Sequence, residues 1–204
     1  MMEYKTEQEK FWAGDFGNAY IERNQGDALF YQKTATWAKI LKCVNNVESA
    51  VELGCNIGLN LQALNAMKPK LTLTGYEINE KAAKLARDAC NATIKHDTII
   101  DKIDDGPFDI AFTSGVLIHI NPEHLNAVYE NLFSLSQRYI IVAEYYNPTP
   151  VSVTYRGHTE RLFKRDFAGD LIDKYDMKLV DYGFIYKRDN WAPQDDFTYF
   201  VLEK

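Results

Sequence analysis

The run Val51–Asn60, VELGCNIGLN, constrains this chain more than any other segment, because it couples an apolar strand to a glycine-spaced turn and then to a helix. Val51 and Leu53 fall on one side of a strand, with the acidic Glu52 near its end. Gly54 permits a tight turn, and Gly58 lets the following helix begin close beside the strand. A dinucleotide fingerprint needs G-x-G-x-x-G so that a pyrophosphate reaches a helix N-terminus. The spacing G-C-N-I-G lacks it, so the turn argues for a cofactor pocket and against NAD.

The rest of the chain supplies a sheet around that turn. Trp37, Ile40, Leu41 and Val44 recur at helical spacing, which predicts an amphipathic helix near 34–44. Leu59–Met67 reads as a helix ended by Pro69, Leu71–Glu77 as an alternating strand, and Asn79–Asn91 as a helix rich in Ala, Lys and Leu. Apolar runs around Ile94, at Phe108–Thr113 and at Tyr139–Glu144 alternate with a helix from Pro122 to about Leu135, capped by Asn121. Such alternation predicts a mostly parallel sheet covered on both faces. Asp166–Lys174 is expected to be helical, and strands near Leu179–Tyr186 and Phe197–Leu202 are expected to form an antiparallel edge hairpin. Between them and the parallel region, 145–165 is too long for an ordinary connection and is expected to be functional or mobile.

Bulk properties narrow the class. A chain of 204 residues holds one good core, and 46% hydrophobic with 25% charged residues is a globular balance. A net charge of -6 implies no large nucleic-acid footprint. No apolar run approaches the ~18 residues of a membrane span, and the polar start MMEYKTEQEK does not read as a signal peptide. A cytoplasmic protein is expected, with Cys43, Cys55 and Cys90 as reduced thiols and no metal.

Ligands of open α/β sheets sit beyond the carboxyl ends of the strands, so residues there take priority. Glu77 ends the second strand, where a carboxylate can accept hydrogen bonds from both hydroxyls of a ribose. The opening turn resembles motif I of the S-adenosylmethionine-dependent methyltransferases, acidic-x-G-x-G-x-G, with Glu52, Gly54, Asn56 and Gly58 in register around Cys55. Asn56 replaces the middle glycine, and asparagine tolerates the left-handed region better than most residues. The run PFDIAFTSGVLIHINPEHL, Pro107–Leu125, resembles the fourth-strand motif of the same superfamily. The resemblance implies a three-layer Rossmann-like methyltransferase fold: seven strands, six parallel, with an antiparallel C-terminal hairpin. It implies S-adenosylmethionine as cofactor, with Ile78 flanking adenine, Asp97, Thr98 and Ile99 near the base, and Ser114 and Gly115 near the methionine part. Tyr20 and Arg23, one turn apart on a possible helix, would bind the cofactor's carboxylate.

The acceptor side carries a charge contrast. Between Tyr155 and Arg165 stand Arg156, Arg161, Lys164 and Arg165 against Glu160 alone, in an acidic protein, which points to an anionic ligand. Tyr146, Tyr155 and His158 could bind sugar hydroxyls or stack on a ring. The words FWAGDFGNAYIERN, ELGCNIGLN, SGVLIHINPEHL, EYYNP, YRGH and LFKRDFAGD together resemble the methyltransferases associated with pseudaminic acid biosynthesis. That resemblance spans nearly the whole chain and implies one methyltransferase domain, 1–204, with a helical cap over 1–48 and a substrate-facing insertion over 145–165. The acceptor would be a nonulosonic acid sugar, free, activated or glycan-linked, anchored by Arg156 and Arg165. His119 is the first candidate base, followed by Glu144, Tyr145 and His158. The competing readings are methylation of another small molecule or a protein, and a non-catalytic cofactor-binding partner of sugar-biosynthesis enzymes.

Overall fold

The structure is a computed structural model that describes residues 3–204. Its strands in chain order are β1 (Ser49–Leu53), β2 (Thr72–Glu77), β3 (Thr93–His96), β4 (Phe108–Ser114), β5 (Ser136–Glu144), β6 (Val151–Tyr155), β7 (His158–Lys164), β8 (Lys178–Ile185) and β9 (Phe197–Glu203). The helices are α1 (Glu7–Ala13), α2 (Asp15–Arg23), α3 (Asp27–Ile40), α4 (Leu59–Met67), α5 (Glu80–Ala89), α6 (Leu125–Leu135) and α7 (Phe167–Tyr175). Seven strands form one sheet in the order β3-β2-β1-β4-β5-β9-β8.

Parallel pairing runs from β3 through β5, and β9 is antiparallel to both β5 and β8. Six strands therefore share one direction and β9 alone reverses, as the expected seven-stranded fold requires. The late hairpin closes the sheet as expected, its second strand inside and its first at the edge. Burial explains the placement, since Tyr199, Val201 and Leu202 of β9 are fully enclosed while Leu179, Tyr182 and Phe184 of β8 face solvent.

One face of the sheet buries Trp37 and Ile40 of α3, Leu61 and Leu64 of α4, and Ala83 and Ala86 of α5. The other buries Val128 and Leu132 of α6 with Phe167 and Leu171 of α7. Strand order reverses between β1 and β4, so the crevice beyond their carboxyl ends is where an open sheet of this kind admits a ligand.

Two segments differ from the sequence reading. The helix expected near 34–44 begins earlier, at Asp27, and gives way at Leu41–Cys43 to a single 3-10 turn. The stretch 145–165 forms a two-stranded hairpin, β6–β7, apart from the main sheet. Its β6 side chains are mostly exposed on both faces, so no apolar alternation marked it. Arg156 (φ 48°) and Gly157 (φ 85°) turn it with two successive left-handed residues, the backbone of a tight two-residue hairpin loop.

Candidate active site

The turn after β1 follows a left-handed rhythm, with φ of 81° at Gly54, 49° at Asn56 and 79° at Gly58. Asn56 thus holds the conformation its middle-glycine position demands. At Gly58 a side chain would also collide with Cys90 Sγ, which a Cβ would meet at 2.3 Å, so the glycine sets the approach of α4 to the end of α5. Glu77 ties this turn to the next: Oε2 accepts from the Asn56 backbone N–H at 2.7 Å, and Oε1 from that of Asn79 at 2.8 Å. Burial pushes its carboxyl above the usual range, against the pull of those amides. Each oxygen keeps a lone pair for a ligand hydroxyl.

Around this turn lies an inner cavity lined by Gly54, Asn56, Glu77, Ile78, Asp97, Thr98, Ile99, Ser114 and Gly115. The N-terminal helices roof it. Thr6 caps α1 in a reciprocal box with Glu9, and the Thr98 hydroxyl donates to Glu9 Oε1, joining roof to floor. Asn79 Nδ2 donates to the Trp12 carbonyl and to Asn18 Oδ1, both at 3.1 Å. Among the described residues, three buried polar atoms of the lining have no partner: Gln8 Oε1, Trp12 Nε1 and Asn56 Oδ1. Buried polar atoms are normally satisfied, so this pocket is prepared for a ligand that both donates and accepts. A nucleoside carrying an amino-acid tail fits that requirement.

A second, outer cavity shares Tyr20, Gly54, Asn56, Ser114, Gly115 and His119 with the first. Its floor holds a buried polar chain in which Trp37 Nε1 donates to Asn60 Oδ1 at 3.0 Å and Asn60 Nδ2 donates to Glu52 Oε1 at 2.6 Å. Glu52 Oε2 has no partner among the described residues, and burial raises the carboxyl to about 8. Lys33 lines the same floor, its ammonium lowered by burial although Glu52 opposes the shift. The hairpin contributes Tyr155, Arg156 and Lys164, and the loop before β9 contributes Asp195 and Asp196.

His119 stands where the cavities meet. Its ring lies 4.5 Å from the Trp12 ring and 5.2 Å from that of Tyr155, measured between centroids. Nδ1 is 2.7 Å from the Arg161 carbonyl oxygen. A carbonyl only accepts, so Nδ1 carries the proton and Nε2 keeps a lone pair. Burial pushes the imidazole down to about 4, which keeps it neutral at pH 7.

The structure brings most of the sequence-selected residues together. Tyr20, Gly54, Asn56, Glu77, Ile78, Asp97, Thr98, Ile99, Ser114 and His119 line the inner cavity, and Glu52, Cys55, Tyr145, Tyr155 and Arg156 line the outer one. Gly58 shapes the turn without lining either. Five others lie outside both cavities. Arg23 ends α2 with its guanidinium 5.6 Å from the centre of the Phe16 ring, outside both cavities. Arg165 pairs with Asp170 at 3.3 Å, also outside them. His158 packs on Phe11 and Phe16, and Tyr146 lies against Phe200. Glu144 Oε1 accepts from the backbone N–H groups of Val116 and Leu117 at 2.9 and 3.0 Å, holding the turn that presents His119; it lines neither cavity. Lys33, Asn60 and Asp195 were absent from the sequence selection. A lysine on a helix, an asparagine in the first turn of another and an aspartate in a polar loop carry no local signal, and only the tertiary fold gathers them.

Fold, turn and cavity together are those of a nucleotide-cofactor site on an open α/β sheet, and comparison with known proteins shows the methyltransferase fold. Residues 51–137 match the family model of a methyltransferase domain. Among solved structures, the chain is similar to magnesium protoporphyrin IX methyltransferase from Synechocystis with bound SAH (TM-score 0.68, 15% identity, covering 96% of this chain and 97% of that one). It is similar to the 1,6-didemethyltoxoflavin-N1-methyltransferase of Burkholderia thailandensis (TM-score 0.69, 11% identity, covering 96% and 86%). A third similar structure is the plantazolicin methyltransferase in complex with SAH (TM-score 0.66, 14% identity, covering 97% and 93%). No curated protein sequence matches the chain.

Proposed function

We propose that the inner cavity binds S-adenosylmethionine and that the outer cavity presents an acidic sugar, a nonulosonic acid in free, activated or glycan-linked form, for methylation. The observation that carries the donor half is Glu77: a strand-end carboxylate with a free lone pair on each oxygen, in a cavity where, among the described residues, Gln8 Oε1, Trp12 Nε1 and Asn56 Oδ1 lack partners. Glu77 would hold the ribose hydroxyls, and Ile78, Asp97, Thr98 and Ile99 the adenine end. Where the two cavities join, Lys33 and Glu52 on the floor of the outer one would meet the amino-acid end as donor and acceptor.

The cofactor supplies an activated sulfonium methyl, so the protein's task is mostly alignment, which can supply about 7–11 kcal/mol of the barrier. His119 serves alignment through Nε2. An imidazole held to about 4 accepts a hydrogen bond yet holds a proton weakly, so it orients an acceptor hydroxyl and leaves the proton for a stronger base.

The acidic-sugar half rests on the resemblance of the YRGH and LFKRDFAGD words and on cations facing the outer cavity. Among the described residues, Arg156 and Lys164 have no carboxylate partner; each lies over a tyrosine ring, 5.9 Å from that of Tyr155 and 5.3 Å from that of Tyr145. Lys187 is already paired with Asp196 at 3.2 Å. Turnover of labelled S-adenosylmethionine with pseudaminic acid, its CMP conjugate and glycosylated flagellin tests the reading. Methyl incorporation into at least one supports it. Incorporation into none, with SAH still bound, restricts the protein to another acceptor.

A further inference from the structure

The outer cavity holds several ionisable groups, and their surroundings separate them. Glu144 spends one oxygen on two backbone amides and lies behind the wall. Glu52 sits beneath the floor, 1% exposed, with an oxygen committed to Asn60. Asp196 is held by the Lys187 ammonium and by the Lys187 backbone N–H at 2.9 Å. Asp195 differs from all three. Its Oδ2 accepts from the Tyr145 hydroxyl at 2.9 Å, and among the described residues Oδ1 accepts from no donor. Both residues line the outer cavity, Tyr145 just past the carboxyl end of β5 and Asp195 on the loop entering β9.

We infer that Asp195 is the general base of the reaction, oriented by Tyr145, and that its Oδ1 takes the proton of an acceptor hydroxyl. The inference rests on the methyltransferase reading with a hydroxyl acceptor. As the acceptor oxygen bonds to the methyl carbon, the carbon–sulfur bond breaks with its electron pair left on sulfur. The acceptor O–H bond breaks and the proton ends on Asp195, so the sulfonium charge and the carboxylate charge disappear together. Tyr145 acts as a positioning residue. Its phenol stays protonated, raised by burial first and by the Asp195 charge second, and so it remains a donor that fixes one carboxylate oxygen and leaves the other free. The arrangement follows a general catalytic pattern, a base within reach of the proton and a second group orienting the base.

The test compares Asp195→Asn, Asp195→Glu and Tyr145→Phe with the unaltered protein, each shown by SAH titration and thermal melting to fold and to bind. With labelled donor and the sugar acceptors named above, Asp195→Asn is expected to lower kcat about 100-fold or more, the scale of a lost general base. Asp195→Glu should recover part of that loss, and Tyr145→Phe should lose less than Asp195→Asn. Independently of turnover, NMR of protein labelled with 13C-tyrosine at neutral pH should show the Tyr145 ring resonance displaced in Asp195→Asn from its position in the unaltered protein. Turnover by Asp195→Asn within threefold of the unaltered protein would overturn the base assignment and leave the methyltransferase reading standing. A Tyr145 resonance indifferent to Asp195→Asn would overturn the pairing. If the unaltered protein binds SAH yet methylates no hydroxyl acceptor, the acceptor reading fails, and the base assignment fails with it.

Discussion

Glu77 serves backbone and ligand with one carboxylate. Its two amide partners fix the turn after β1 and the N-terminal end of α5, while the remaining lone pairs face the cavity. Glu77→Ala should therefore weaken SAH binding by about 100-fold or more and also cost about 1–3 kcal/mol of stability for the orphaned amides, read by calorimetric titration and chemical denaturation. His119 permits a prediction with a definite sign. Its folded-state value, about 4, lies below that of a free imidazole, so the unfolded chain binds more protons between about 4 and 6.5. Stability is fully present above that window and falls as pH drops through it, by roughly 3 kcal/mol for this group at pH 4. His119→Gln should flatten that acid-side decline in Tm, measured from pH 7.5 to 4.5. Glu77 and Asn56 were legible in the sequence because each stands at a fixed step from a strand end or a turn glycine. Lys33 and Asp195 were not, because their meaning comes from neighbours distant in the chain.

Among the elements, the β6–β7 hairpin distinguishes the two cavities. It supplies Tyr155, Arg156 and Lys164 to the outer one and none of the lining residues of the inner one. Arg156→Ala should raise the KM for an acidic acceptor about tenfold, the scale of one charge-assisted contact, with the affinity for SAH unchanged. Equal KM values would remove Arg156 as an anchor. Gly157→Val places a β-branched residue at φ 85° and should loosen the turn, lowering Tm together with acceptor affinity. The alternating βα units were readable from period and breakers, since each buries one consistent face. The hairpin was hidden because its strands bury almost nothing.

At the scale of the molecule, roof and hairpin are joined. Gln8 Nε2 donates to the Glu160 carbonyl at 3.0 Å, the Arg161 guanidinium lies 5.3 Å from the centre of the Phe11 ring, and His119 donates to the Arg161 carbonyl. The two cavities thus share a cover as well as a wall. The inner cavity is proposed as a site for S-adenosylmethionine and not for a dinucleotide. Calorimetric titration of the protein with SAH and, separately, with NAD tests it most directly. One SAH bound per chain, lost in Glu77→Ala, with no binding of NAD, is the predicted result; tight binding of NAD and none of SAH would contradict it.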